Sequence, residues 1–236
     1  MKISYITLFP EFYNGFKDTS IIKKAIENKH IEMNFVNFKD YVSKGRVDDK
    51  IVGGGKGNLI RYDVASSALN SVKTSKSKVV LLTPRGKTFN QKTAKELAKV
   101  EELIFICPHF EGIDARIEDE VDYCLSIGDY ILTGGEIASM VVSDSVIRLI
   151  DGVINKESLN EESFENILLE YDQYALPRSH NGKDIPDVYL SGNHKEIAKY
   201  KKENSLEKTK KNRPDLYEKY MIKSTQKCEN KTKKSK

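Results

Sequence analysis

The amino-acid sequence predicts an α/β fold, in which a mostly parallel sheet is followed by a small helical domain. Short apolar runs typical of strands alternate with segments of helical periodicity up to about Gly152. Beyond that point polar and turn-forming residues take over, and a lysine-rich segment of helical character then follows. Strands that alternate with helices form parallel sheets covered on both faces, so the alternation predicts the fold class.

The predicted elements follow one another in a regular order. Five apolar runs have the length and composition of strands, at residues 3–9, 31–38, 79–83, 103–107 and 123–127. Helix-like segments cover residues 20–28, 65–72, 91–100 and 135–150, and the last has apolar residues at helical spacing. A further helical segment is predicted at 193–221. We therefore expect an α/β domain at 1–160, a linker at 161–191, and a basic helical domain with a disordered tail at 192–236.

The composition is typical of a soluble globular protein and argues against several other classes. Apolar residues make up 39% and charged residues 31% of the chain. No apolar run is long enough to cross a bilayer, and the amino terminus lacks the features of a signal peptide. The three cysteines have no CxxC spacing, which argues against a disulfide framework or a zinc site. We expect a cytoplasmic protein with no membrane partner and no metal-ligating residues.

The stretch at residues 195–236 is dense in lysine, with the strings KYKKEN, EKTKKNRP and KTKKSK. A basic segment of this kind is typical of a protein that binds nucleic acid. A solvated helix face followed by a frayed tail would give the same pattern. The charge distribution alone leaves both interpretations open.

The glycine-rich string GGGKG at residues 53–57 is the first candidate ligand loop. No strand directly precedes it and no GK[ST] closes it, so it is not a phosphate-binding loop, and GxGxxG is also absent. Two interpretations remain open, a plain turn and a mobile contact to a substrate.

Three other loops are predicted to leave the carboxyl ends of strands. They are TPRG after Leu82, PHFEGID after Cys107, and SIGDYILTGGE after the weak strand at 123–127. Ligands bind at this edge of a parallel sheet, so three loops there predict a shared pocket. The loops are rich in backbone donors and acceptors but have no cationic phosphate cradle. They suit an adenosine and a sulfonium better than a pyrophosphate, and the lone His109 fits a pocket-lining role better than metal binding.

At these residues the sequence resembles the bacterial tRNA (guanine-N1)-methyltransferases of the SPOUT superfamily. The motifs are ISYITLFPEF, RVDDKIVGGGKG, LTPRGKTFNQ, PHFEGIDARI, SIGDYILTGGE, DSVIRLIDGVI, EESF and LSGNHKEI, in the order of the family. The resemblance covers about the first 220 residues. It implies transfer of a methyl group from S-adenosylmethionine to N1 of guanosine-37, next to the anticodon of tRNA, with Mg²⁺ as a possible second cofactor. It also implies a homodimer with shared active sites and a deep trefoil knot, which topology rules alone would not predict.

The resemblance assigns residues to each of these roles. The methyl donor would be held by Thr83, Pro84, Gly86, Pro108, His109, Phe110, Glu111, Gly112, Ser126, Ile127, Gly128, Asp129, Tyr130, Ile131, Leu132, Gly134 and Gly135. The tRNA, gripped at its anticodon arm by the helical domain, would contact Asp49, Gly54, Gly55, Asn193, Lys201, Lys202, Lys210 and Lys211.

Two further residues match the presumed catalytic positions of the family. N1 of guanine carries a proton that must be accepted as N1 attacks the methyl carbon, and negative charge develops at O6. Glu162 in EESF matches the presumed base, and Arg148 in VIRLI matches the presumed cation. Without the family, a carboxylate at a helix start and a surface ion pair would be the simpler interpretations.

The sequence departs from the family at several of these places. The base position carries Glu162 where aspartate is usual, His109 stands in place of an arginine, and Leu176 removes another. These departures favour, as an alternative, a drifted relative that binds tRNA and the donor but methylates weakly. A nicotinamide-dependent oxidoreductase is disfavoured because GxGxxG and a ribose-binding acid are missing.

Overall fold

The computed structural model describes residues 1–155 and 162–234. Their contacts divide the chain into two compact units, Met1–Ile154 and Asn155–Lys236. The domain boundary expected after residue 160, and Glu161 of the EESF motif, lie outside the described residues.

The first unit is built on a five-stranded parallel sheet, which confirms the predicted α/β class. The strands of this unit are β1 Lys2–Thr7, β2 Glu32–Asn37, β3 Asp48–Lys50, β4 Asn58–Ile60, β5 Ser77–Thr88, β6 Glu102–Ile106 and β7 Tyr123–Ser126. The sheet has the order β2-β1-β6-β5-β7, and its neighbouring strands run parallel. Strands β3 and β4 form a separate antiparallel hairpin that the sequence analysis did not predict.

Helices cover both faces of the sheet, as a parallel sheet requires. They are α1 Asn14–Lys17, α2 Ser20–Glu27, α3 Tyr62–Asn70, α4 Gln91–Leu97 and α5 Glu136–Ile147. Leu103 and Phe105 of β6 pack in the same core as α2, α4 and α5, whereas Ile104 and Ile106 pack in the core that contains α3. This alternation follows from the two-residue period of a strand.

Strand β5 differs from the prediction. The strand was predicted to end at Leu82 or Thr83, with TPRG as a terminal loop, but β5 continues to Thr88. Leu82 and Lys87 both lie opposite Leu125 of β7, so residues 83–86 bulge out of the ladder. The prediction of a terminal loop was wrong because the strand resumes after the bulge.

The second unit is mainly helical. It contains the short strands β8 Ser179–His180 and β9 Lys183–Asp184, and the helices α6 Asp187–Leu190, α7 His194–Asn212 and α8 Pro214–Lys234. The helical segment predicted at 193–221 is therefore two helices. Pro214 begins the second one, because a proline that cannot donate a hydrogen bond suits the first helical turn. None of the helices in the two described ranges is long and apolar enough to cross a membrane.

Candidate functional site

A cavity of about 250 Å³ lies in the first unit, where the predicted ligand loops meet. All but two of the residues that the resemblance assigned to the methyl donor line this cavity, and the exceptions are Gly86 and Asp129. Leu82, Leu125, Thr133 and Ala138 also line it, and the resemblance did not assign them to the donor. Three loops that are far apart in the sequence thus form a single wall.

The close approach of α5 to the end of β6 forms one side of the cavity. Gly135 donates a backbone hydrogen bond of 2.8 Å to the carbonyl of Pro108. A Cβ atom on Gly135 would lie 2.6 Å from Cα of Cys107, so only glycine fits at this position. Burial raises the pKa of the Cys107 thiol to about 12, which keeps it protonated and unreactive at neutral pH.

A tight turn at residues 126–130 also contributes to the lining of the cavity. The Ser126 hydroxyl accepts a hydrogen bond from N of Gly128 (3.2 Å) and donates one to its carbonyl oxygen (3.0 Å). Gly128 has a φ of +153°, and a Cβ atom there would lie 2.5 Å from the ring of Tyr130. A side chain at Gly128 would therefore crowd the cavity and strain the turn.

His109 presents an unsatisfied polar atom at this site. Its Nδ1 is buried and has no hydrogen-bond partner in the part of the chain that the structure describes. Phe9 and Phe110 hold the ring edge-on, with centroids 4.8 Å and 5.2 Å away. Because a buried ring nitrogen without a partner is costly, Nδ1 is available to a ligand or to water.

The β3–β4 hairpin is joined to the wall of the cavity. The backbone N of Glu111 donates to the carbonyl of Asn58 (3.1 Å), and N of Ile60 donates to that of Gly112 (3.0 Å). Buried Asp48 anchors the hairpin, and its hydrogen bonds from Arg46 and Asn58 lower the pKa of its carboxyl. The predicted tRNA contacts on this hairpin and its loop, which are Asp49, Gly54 and Gly55, are exposed.

Arg148 lies at the opposite end of α5 from the cavity. It is the C-cap of the helix, where a cation interacts favourably with the helix dipole. The helix has 12 residues, and at 1.5 Å per residue its two ends are about 18 Å apart. Ile137 and Val141, which are 43% and 44% exposed, share with Arg148 the stripe of α5 that faces away from the core.

Glu162 lines a second cavity, of about 270 Å³, in the second unit. Lys201, Lys202 and Tyr171 line it too, and Lys201 Nζ donates a hydrogen bond of 2.6 Å to the Tyr171 hydroxyl. Asn193 caps the start of α7, since its side chain accepts hydrogen bonds from two backbone N–H groups. Lys202 is exposed, as are Lys210 and Lys211 in the last turn of α7.

The fold and the first cavity define an α/β protein with a small-molecule site made of backbone-rich loops at one edge of a parallel sheet. A family model described as tRNA (Guanine-1)-methyltransferase TrmD matches residues 1–219. Similar proteins named tRNA (guanine-N(1)-)-methyltransferase include one from Malacoplasma penetrans, 54% identical over 94% of this chain and 99% of that protein. Another, from Treponema denticola, is 50% identical over 93% of this chain and 91% of that protein. The chain belongs to the tRNA (guanine-N1)-methyltransferase family.

Proposed function

We propose that this chain, a tRNA (guanine-N1)-methyltransferase by its family, transfers the methyl group of S-adenosylmethionine to N1 of guanosine-37 of tRNA. The observation that carries the proposal is the convergence of three loops on one cavity. They are the loops that the family resemblance assigned to the donor, and secondary-structure elements separate them in the sequence. A tRNA substrate also implies a cytoplasmic enzyme.

The residues along the first cavity fit the methyl donor. Its volume is about 250 Å³, near the lower end of small-molecule sites, which begin at roughly 300 Å³. The Glu111 carboxylate lines it, and no lysine or arginine of the described chain does, so its wall suits a cationic sulfonium. The turn at Gly128 and the Nδ1 atom of His109 offer polar groups to the adenosine and methionine parts. When bound, S-adenosylmethionine supplies an electrophilic methyl carbon.

Two side chains of the chain would assist the transfer. Glu162 would accept the proton that N1 loses, and Arg148 would stabilise the negative charge that develops at O6.

We propose a homodimer in which Arg148 of one subunit acts at the first cavity of the other. Within one subunit, Arg148 lies about 15 Å along α5 from Ala138, which lines the cavity. Two copies that pack through the stripe of Ile137 and Val141, about a twofold axis perpendicular to α5, have antiparallel helices. Arg148 of one copy then lies toward the cavity of the other. The exposed apolar side chains on that stripe support such a contact.

We also propose that the carboxyl edge of the sheet carries the trefoil knot of the SPOUT superfamily. Close crossings of backbone support this. Gly135 lies against Cys107, and a Cβ on Gly86 would fall 2.5 Å from the carbonyl carbon of Cys124.

The basic second unit would bind the anticodon arm through its exposed lysines, whose contacts with phosphates release counterions. Mg²⁺ is a component to be tested by titration. In the described residues no group of three or more His, Cys, Asp and Glu could hold a metal, and no step above depends on one.

The proposed function is tested by methyl transfer to an unmodified anticodon stem-loop transcript, with labelled S-adenosylmethionine as the donor. We expect label in the transcript that carries guanosine at position 37, and none in a transcript with adenosine there. Binding of both ligands without transfer would favour the weakly methylating relative, which the replacement of arginine by His109 also suggests. Label that is independent of the base at position 37 would contradict the proposal.

A further inference from the structure

Two hydroxyl side chains of α7 are buried where a helix normally buries apolar ones. Ser205 and Thr209 are only 8% and 0% exposed, and four residues separate them, so they lie on the same face. Asn204 and Lys208 form a second pair with the same spacing beside them. Buried polar side chains of this kind need hydrogen-bond partners.

The two hydroxyls bind both backbone polar groups of Leu169. The N–H of Leu169 donates to the Thr209 hydroxyl (2.9 Å), and its carbonyl accepts from the Ser205 hydroxyl (2.5 Å). Thr209 in turn donates to the backbone carbonyl of Ser205 (2.7 Å). Leu169 is thus paired with side chains of α7 as it would be with a neighbouring strand.

A second attachment lies three residues further along. The N–H of Asp172 donates to the side chain of Asn204 (2.7 Å), and its carboxylate forms an ion pair with Lys208 (2.8 Å). Both attachments come from one face of α7, so the helix fixes the direction of the segment at 169–172 as well as its position.

This segment ends a turn that begins at Glu162. The N–H of Glu170 donates to the Ser163 hydroxyl (3.0 Å), and N of Phe164 donates to the carbonyl of Leu168 (2.9 Å). Phe164 and Ile167 both have a φ of +74°, a conformation that bulky and β-branched residues rarely adopt. Such a turn persists only where its surroundings hold it, and the attachments to α7 provide that restraint.

We propose that Ser205 and Thr209 are positioning residues that hold the Glu162 carboxylate in place for proton abstraction. They act through Leu169 and the turn, without touching the guanine. Ser205 and Glu162 line the same cavity, so the restraint operates next to the group that it positions. The inference rests on the proposed role of Glu162 as the base.

The test compares hydroxyl-deleting and hydroxyl-keeping variants of full-length protein. Thr209→Val keeps the shape of the side chain and removes its hydrogen bonds, whereas Thr209→Ser keeps the hydroxyl. Thr225→Val is the matched control, because in the described part of the chain the Thr225 hydroxyl bonds only the carbonyl of Met221 in its own helix. Ser205→Ala is a second variant should Thr209→Val fail to fold. The readouts are the single-turnover rate with saturating donor and stem-loop, the stem-loop affinity and the melting temperature.

We expect Thr209→Val to slow single turnover by about 10- to 100-fold at unchanged stem-loop affinity, since placement errors near one ångström cost that much. Thr209→Ser should restore the rate, and Thr225→Val should match wild type. In a Glu162→Gln background, Thr209→Val should cause no further loss, because the group that it positions is already disabled.

A wild-type rate in folded Thr209→Val and Ser205→Ala would overturn the inference. So would an additional loss in the Glu162→Gln background, or a loss of affinity that accounts for the slower rate. A full rate in Glu162→Gln alone would refute the role of Glu162 instead, so the two failures are distinguishable.

Discussion

Two variants that are each inactive alone should restore activity when one copy of each forms a mixed dimer. Arg148→Ala removes the proposed cation, and Gly128→Trp fills the proposed donor cavity, where even a Cβ would lie 2.5 Å from the Tyr130 ring. Arg148 is about 15 Å along α5 from Ala138, which lines the cavity of its own subunit. If each active site combines the cavity of one copy with Arg148 of the other, a mixed dimer has one intact site.

The size of the effect follows from the symmetry of the dimer. Random pairing of equal amounts makes half of the dimers mixed, and one of their two sites is intact, so the mixture should reach about a quarter of wild-type activity. The two variants would be co-expressed with different tags and assayed for methyl transfer to the stem-loop. If each site lay within a single subunit, every site in a mixed dimer would carry one of the two defects. Activity no higher than the sum of the two variants alone would therefore refute the shared site.

Three further predictions concern the donor, the tRNA and the base. Gly128→Trp should abolish the calorimetric signal of S-adenosylmethionine binding. The control Gly182→Ala, at a positive φ with nothing within 4 Å of its Cβ, should leave that signal intact. An unchanged donor affinity in Gly128→Trp would show that the turn at residues 126–130 is not part of the donor site. The affinity for tRNA should fall steeply with salt, and each lysine replaced by alanine should reduce the slope of log affinity against log salt concentration by about one. A salt-independent affinity would mean that the lysines only solvate a surface. These lysines are Lys201, Lys202, Lys210 and Lys211. Glu162→Gln should slow single turnover by about 10²–10⁴-fold at similar tRNA affinity. A Glu162→Asp variant that is faster than wild type would show that the glutamate is a drifted base. A full rate in Glu162→Gln would make Glu170 the next candidate for the base.

The sheet was predictable from the sequence because its strands are buried. The apolar run of β6 reads directly as a strand, and its alternate residues pack on opposite faces. The β3–β4 hairpin has three residues in each strand and no apolar alternation, so no pattern marked it. The bulge in β5 depends on pairing with β7, a contact between distant segments that local periodicity does not contain.

In the candidate site too, local sequence patterns were predictable and contacts between distant segments were not. The loops were found because each follows an apolar run, although only the structure shows that they share one cavity. Glu162 and Arg148 came from the family resemblance, since a single carboxylate and a single cation carry no pattern of their own. The buried face of α7 was missed because Ser205 and Thr209 count as polar in any hydropathy pattern. In the structure the backbone N–H and carbonyl of Leu169 form hydrogen bonds with their hydroxyls.

Primer extension on the full-length tRNA would identify the base that the protein methylates. A methyl group on N1 of guanine removes the Watson–Crick donor, so reverse transcriptase stops one nucleotide before the modified base. After incubation with the protein and S-adenosylmethionine, we expect a new stop that maps to position 37. It should be absent without the donor, and absent from a tRNA that carries adenosine at that position. Read-through at position 37 by tRNA that has bound the protein and the donor, or a stop at another base, would contradict the proposed function.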